Sequence, residues 1–437
     1  MPISPTSKLP LQPATAPPLQ QFTLDNGFTV ILLEDHRAPL VTAQLWYHVG
    51  GSDEPLGQAG LSHALEHLVF EGSEKLPQGQ YSRVLARLGA APRAFTLDDA
   101  TLYLATVPVN RLEIVLEAQA DIMVNAHLSA QAFAGVRTTL INEYRLRVDS
   151  VLDEQANKQH LHLAHGASPY ARSHHDVLDD LQSLTLDSVK AWYARHYHPN
   201  NATLVVAGDL QLAALRELVE RHFAPLPKAS LERALPFRHS AALGERSQTV
   251  RLPGLRPGLA LSFNVPSLGS AASAQDVHAL QVALAVLSTG TSSRLYAALV
   301  RERPLLRGVY SEFDLNMRGD TLLTLRALVS PDQTVQHASE RVLALIEGLS
   351  DQLVSPAELQ RAKTQLSAEQ VFSHDSLQQR AYDVGRHVLG GASLASLMRA
   401  RQSLEAVSVQ DLQRVARHYL NRDHLTLTYS QPEATAQ

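Results

Sequence analysis

In the segment His63-Ala64-Leu65-Glu66-His67 of this 437-residue chain, residue type and spacing converge on chemistry. On a helix, residues four apart lie one above the other on the same face, so His63 and His67 can reach a single metal ion. Glu66 projects beside them, placed to act on a metal-held water without ligating. Two neutral imidazoles make good zinc ligands but an incomplete site, because a catalytic zinc takes three protein ligands plus water. A carboxylate from elsewhere is needed, and the charged segment Ile141-Asn142-Glu143-Tyr144-Arg145 offers Glu143. The competing reading is a helix whose histidines and glutamate merely line a polar interface. Against it, Leu61, Leu65 and Leu68 supply a buried stripe while the histidine and glutamate face stays polar, as a metal-lined cleft requires.

Composition narrows the alternatives. A hydrophobic share of 45% with 19% charged residues is the balance of a globular protein. The net charge of -5 offers no basic field to nucleic acid. With no cysteine, disulfides, a thiolate nucleophile and a cysteine-zinc cluster are all excluded, whereas 20 histidines leave imidazole and carboxylate as metal ligands. A second histidine-rich stretch, His160, His162, His165, His174 and His175, has no glutamate at a matching helical offset and reads as solvated or hydrogen-bonded histidines. Trp46 and Trp192 read as core or interface packing. Thr289-Gly290-Thr291-Ser292-Ser293 lacks the lysine of a phosphate-cradling loop. No membrane-spanning run and no signal peptide are found, so the expected compartment is the cytoplasm, or the periplasm if a leader was trimmed.

The elements that must position these residues alternate in period. Residues 1–20 hold six prolines and read as an extended tail. Phe22–Leu24 and Phe28–Leu33 flank the turn Asp25-Asn26-Gly27 as two strands, and Leu40–Val49 is a third. Helical spacing follows over Leu56–Phe70 and Gln80–Leu88, a strand over Leu102–Val107, then helices over Arg111–Asn125 and Ala130–Leu152. The mixture lacks the strict alternation of a doubly wound sheet, so the fold class is α+β. A proline- and charge-rich stretch, 226–247, reads as the linker between a first domain, 21–225, and a second, 248–437. The second repeats the first: Arg195-His196-Tyr197 is echoed by Arg417-His418-Tyr419, and His63 to His67 by His278-Ala279-Leu280-Gln281-Val282. The sequence is therefore expected to be a duplication whose second copy lost the acid and one histidine.

These features resemble the pitrilysin-type zinc metallopeptidases, the inverzincins, whose HxxEH motif reverses the thermolysin order. The likeness extends through Leu24-Asp25-Asn26-Gly27, Val49-Gly50-Gly51-Ser52, the block from Gly57 to Lys75, Ala94-Phe95-Thr96, Arg145-Leu146-Arg147-Val148-Asp149, Tyr197 to Val206 and Ser292-Ser293-Arg294-Leu295-Tyr296. It is nearest the processing-peptidase branch, in which one chain carries two related domains, each a mostly antiparallel sheet flanked by helices. The resemblance implies a zinc endopeptidase in which His63, His67 and Glu143 bind Zn2+ and Glu66 is the general base. It implies that an extended substrate adds as a strand to a sheet edge around Ala90 to Phe95, with Arg93, Ala94 and Phe95 in contact. The alternative is a non-catalytic structural subunit of the same fold.

Three departures from the family pattern bear on function. Val136 stands where many relatives carry a second glutamate before the third ligand, and Arg93 stands where asparagine is usual. Relatives that work alone or as homodimers grip substrate with an arginine and a tyrosine seven residues apart in the second domain. An ungapped count puts Val300 and Arg307 there. A three-residue shift would supply Arg303 and Tyr310 instead, but it requires an insertion inside a helix, so loss of the pair is the preferred reading. Loss implies a heterodimer, in which a homologous subunit lacking zinc ligands supplies the missing grip across a closed chamber. A homodimer is the second possibility.

Overall fold

The computed structural model describes residues 19–90, 92–172, 177–231, 237–238 and 243–433. Most of the proline-rich tail, His174, His175, Ala91 of the expected substrate edge, and 232–236 and 239–242 of the linker lie outside the described residues.

The first half runs β1 (Leu19–Thr23), β2 (Thr29–Glu34), β3 (Leu40–Tyr47), α1 (Leu61–Leu68), α2 (Gln80–Arg87), β4 (Arg93–Thr96) and β5 (Thr101–Pro108). Helices α3 (Leu112–Val124), α4 (Ala130–Tyr144), α5 (Leu152–His165), α6 (Leu178–Ser183) and α7 (Leu186–His196) follow, then β6 (Ala202–Gly208) and α8 (Leu212–Phe223). The second half runs β7 (Arg246–Leu252), β8 (Gly258–Val265), α9 (Ala274–Ser288), the short α10 (Arg294–Tyr296), β9 (Leu306–Phe313) and β10 (Thr321–Val329). It closes with α11 (Val335–Asp351), α12 (Pro356–Ser373), α13 (Leu377–Leu389), α14 (Leu394–Ala406), α15 (Val409–Tyr419) and β11 (Leu425–Pro432).

The strands form a six-stranded sheet in the order β1-β2-β6-β3-β5-β4 and a five-stranded sheet in the order β7-β11-β8-β10-β9. Without β1, the two orders are the same topology written twice. Each sheet is antiparallel except for one parallel pair, β2 with β6 and β7 with β11. The duplication read from the sequence is thus a duplication of the fold: α1 and α9 follow equivalent strands, and α7 and α15 lead into β6 and β11. Edge strand β4 corresponds to edge strand β9.

Period-2 alternation assigns each strand residue to a face. In the first sheet, Val30, Leu32, Ala43, Leu45, Tyr47, Tyr103 and Leu204 share one core with α1, α3 and α4. The other face carries Ile31, Leu33, Trp46, Leu102, Leu104 and Val205, and it is covered by α13, from the other half of the chain, through Ala381 and Val384. Trp46 packs so closely under α13 that only a glycine fits at Gly385. The second sheet is treated in the same way. Helix α5, from the first half, crosses its outer face, burying Ala156 against Val250 and Leu255. His160 is fully buried there, its ring bonded to Thr428 Oγ1 at 2.8 Å and Ser262 Oγ at 2.7 Å. The halves therefore exchange helices, a feature that division of the chain at 226–247 does not contain.

Charge completes the joint. Arg318 of the second half reaches Asp53 at 2.7 Å and Asp99 at 3.3 Å. Asp99 also accepts from Ser52 Oγ and from the Tyr170 hydroxyl. Asp35, nearly fully buried, is held by Arg37 and by Arg380 of α13.

Candidate metal centre

The loop before α1 sets the position of that helix. At Gly50 any Cβ would fall 2.3 Å from the Leu97 carbonyl, so the Gly50-Gly51 pair lets this loop pass tightly along the β4–β5 turn. Gly60 then starts the helix with φ of 96°, a left-handed conformation suited to glycine. Glu54, buried, turns both carboxylate oxygens onto the helix start, accepting from Gly60 N at 2.7 Å and Ser62 N at 2.6 Å. A negative charge there satisfies amides that the helix leaves open and complements its dipole. Trp192 of α7 donates to Ser62 Oγ at 3.2 Å, which accounts for one of the two tryptophans.

On this anchored helix Leu61, Ala64, Leu65 and Leu68 are buried in the core. His63 and His67 emerge on the other side with ring centroids 5.0 Å apart. Helix α4 runs alongside and buries Phe133, Val136 and Leu140 in the same core. Glu143 continues that stripe by one more turn and so arrives beside α1. Its Oε2 lies 3.9 Å from His63 Nε2 and 3.6 Å from an Arg147 nitrogen. Just beyond it the helix widens into a π turn, Arg145–Asp149, a distortion frequent at functional sites. One donor atom each from His63, His67 and Glu143 lies within 4.8 Å of the others, the sole grouping of three such ligands found among the described residues. Two imidazoles and a carboxylate are the donor set of a catalytic zinc, so the residues fit that ion.

Glu66 stands next to this group and is only 9% exposed. Burial raises its carboxyl above the usual carboxylate range, opposed by a hydrogen bond from Thr96 and by the nearby His63. Thr96 Oγ1 donates to Glu66 Oε2 at 2.6 Å, fixing the carboxylate's orientation. Neither Thr96 nor Glu54 was singled out from the sequence.

The remaining candidates are placed as follows. β4 is the end strand of its sheet, so its outer backbone edge has no neighbouring strand among the described residues. Ala94 pairs with Tyr103 and Thr96 with Thr101, on the face of α1, whereas Arg93 pairs with Leu104 and Phe95 with Leu102, on the face of α13. Arg93 and Phe95 thus lie across the sheet from the histidines. Arg303 ends a π turn, Ala297–Glu302, and is exposed. Tyr310 is an exposed residue of edge strand β9. Val300, at the ungapped position, packs against the second core. In the second histidine stretch, His160 and His165 are buried structural residues and His162 is exposed. In the second half, His278 keeps its place on α9 but Gln281 and Val282 replace the acid and the second histidine.

Residues 29–173 match the family model of the insulinases, peptidase family M16, and residues 183–366 match that of the M16 peptidase inactive domain. A zinc protease of Helicobacter pylori, PqqE, is 26% identical over 421 residues, covering 95% of this chain and 93% of that protein. The beta subunit of the mitochondrial-processing peptidase of Lentinula edodes is 25% identical over 430 residues, covering 91% of this chain and 86% of the relative. The crystal structure of a protease from Helicobacter pylori superposes with a TM-score of 0.88 at 25% identity, covering 95% of this chain and 100% of that one.

Proposed function

Because the chain belongs to the M16 family of peptidases, we propose that it is a zinc-dependent endopeptidase that hydrolyses peptides or short unfolded segments. The single observation that carries this reading is the convergence of His63, His67 and Glu143 donor atoms within 4.8 Å, with Glu66 buried beside them. When bound, zinc supplies Lewis acidity, which polarises the scissile carbonyl and makes an attacking water acidic near neutral pH. The chain supplies the rest. Glu66, oriented by Thr96, takes the proton of the attacking water and returns it to the leaving amine. The open edge of β4 offers backbone groups that hold an extended substrate as one more strand, with little regard for its sequence.

A second subunit belongs to this proposal. The ungapped count leaves Val300 and Arg307 where a gripping pair is expected, and one matched relative is itself named as a subunit. We place the substrate in a closed chamber completed by a homologous chain without zinc ligands. Full activity of the purified lone chain, at a monomer's size in solution, would remove that partner.

A non-catalytic core subunit is the competing reading, favoured by the inactive-domain description of residues 183–366. Those residues include α9, where Gln281 and Val282 stand in place of the acid and the second histidine. Peptide cleavage and metal content, measured on the wild type and Glu66→Gln, decide between the two. The expected result is one zinc per chain in both proteins, with cleavage reduced by about 10²–10⁴ in the variant. Absence of zinc from both would transfer the argument to the core-subunit reading.

A further inference from the structure

Beneath the open edge of β4, on the face away from the histidines, lies a cavity of about 420 Å³. Its wall on the sheet side is Arg93, Phe95 and Leu104, and its opposite wall is the first turns of α13, with Gln378, Gln379 and Tyr382. The helix that the second half lends to the first sheet therefore builds this space. The second sheet has a cavity of about 300 Å³ under its own borrowed helix, over β8, β10 and β11 with Tyr310 of edge strand β9 and the start of α5. Tyr310 stands opposite Arg326 there as Arg93 stands opposite Leu104. The two cavities differ in charge. Asp153 and Glu154 of α5 line the second beside Arg256 and Arg326, so both signs meet there, whereas Arg93 is the one charged residue lining the first among the described residues. Arg93 is exposed and makes no ion pair with an acid among the described residues.

A peptide added to β4 alternates its side chains between the two faces of the sheet. One set faces α1 and the histidines; the next residue along turns its side chain toward this cavity. We propose that the cavity is a substrate subsite that takes an acidic side chain, its carboxylate on the Arg93 guanidinium and its stem over Phe95 and Tyr382. A guanidinium presents a rigid fork of donors suited to a carboxylate. The chain as a whole carries -5, so a preference for acidic peptides would be local to this cavity and not a product of the overall field. The subsite rests on the reading of β4 as the substrate edge.

Binding tests it separately from catalysis. Two fluorescein-labelled decapeptides, identical except for Glu or Lys at every second position, are titrated by anisotropy against the full zinc-loaded chain carrying Glu66→Gln. The Glu peptide should bind about tenfold tighter, the size of one charge-assisted hydrogen bond. Adding Arg93→Glu should invert the order, while Arg341→Glu, at an exposed position of α11, should leave it unchanged. Equal affinities, absence of binding by either peptide, or an order indifferent to Arg93→Glu would overturn the subsite. Zinc uptake and cleavage by the wild type read the peptidase proposal independently: charge-dependent binding by a chain that neither takes up zinc nor cleaves would refute the peptidase and leave the subsite standing.

Discussion

Glu66 is a carboxylate in a place that disfavours charge, and Thr96 is the neighbour that steadies it. Thr96→Val removes the donor while keeping the shape, so kcat should fall about tenfold with zinc content unchanged and KM little altered. A variant with wild-type kcat would show that Thr96 does not orient the base. The histidines and Glu66 were legible because helix periodicity projects neighbours in sequence onto one face. Glu143 was legible from its charged segment together with the family resemblance. Thr96 and Glu54 were not. Thr96 meets Glu66 only once β4 is laid beside α1, and Glu54 lies outside the three-residue spacing of a capping box. His160 teaches the same lesson, since nothing local says that one histidine in a rich stretch is buried. Burial pushes its pKa down to about 3 from an ordinary 6.5. Above the ordinary value both folded and unfolded chains hold it neutral. Between 6.5 and about 3 the unfolded chain takes a proton that the folded one refuses, so stability is lost as the pH is lowered, by at most about 1.4 kcal/mol per unit. Urea unfolding at about pH 7.5 and about pH 5 should show a smaller loss for His160→Gln than for the wild type; equal losses would place the proton elsewhere.

Among the elements, α13 fits tightly against the first sheet. A Cβ at Gly385 would stand 2.3 Å from the Trp46 ring, so Gly385→Ala should cost about 1–3 kcal/mol as the helix is pushed off the sheet. Gly348 of α11 has nothing within 4 Å of its Cβ direction, and Gly348→Ala should instead stabilise by about 0.5–1 kcal/mol. Thermal unfolding of the pair separates packing from helix propensity, and a common sign would defeat the contrast. The sheet-and-helix order was legible because period 2 and period 3.6 differ plainly, and the repeat was legible in Arg-His-Tyr. The exchange of α5 and α13 was not. An amphipathic pattern says how much of a helix is buried, not which sheet buries it. The residues read as one helix over 130–152 divide at the π turn after Glu143, a widening that leaves no mark in the apolar spacing.

At the scale of the molecule, Arg318 holds the halves together through Asp53 and Asp99. Arg318→Ala would leave two largely buried carboxylates facing each other, and should lower stability by about 3 kcal/mol in urea unfolding. An unchanged midpoint would mean that the helix exchange alone makes the joint. Division of the chain between residues 231 and 243 should give two pieces that are insoluble alone and associate when produced together, because each keeps the helix the other needs; size-exclusion chromatography of the separate and co-produced pieces reads this directly. Soluble, folded separate halves would contradict it. The same exchange imposes a delay on synthesis. The last strand of the first sheet is complete at Gly208, but the helix that covers Ile31, Trp46 and Leu102 begins only at Leu377. At ordinary ribosome speeds that interval is roughly 10–30 s. Throughout it a broad apolar surface stays uncovered on the nascent chain, which makes this protein a client for any chaperone waiting at the exit tunnel.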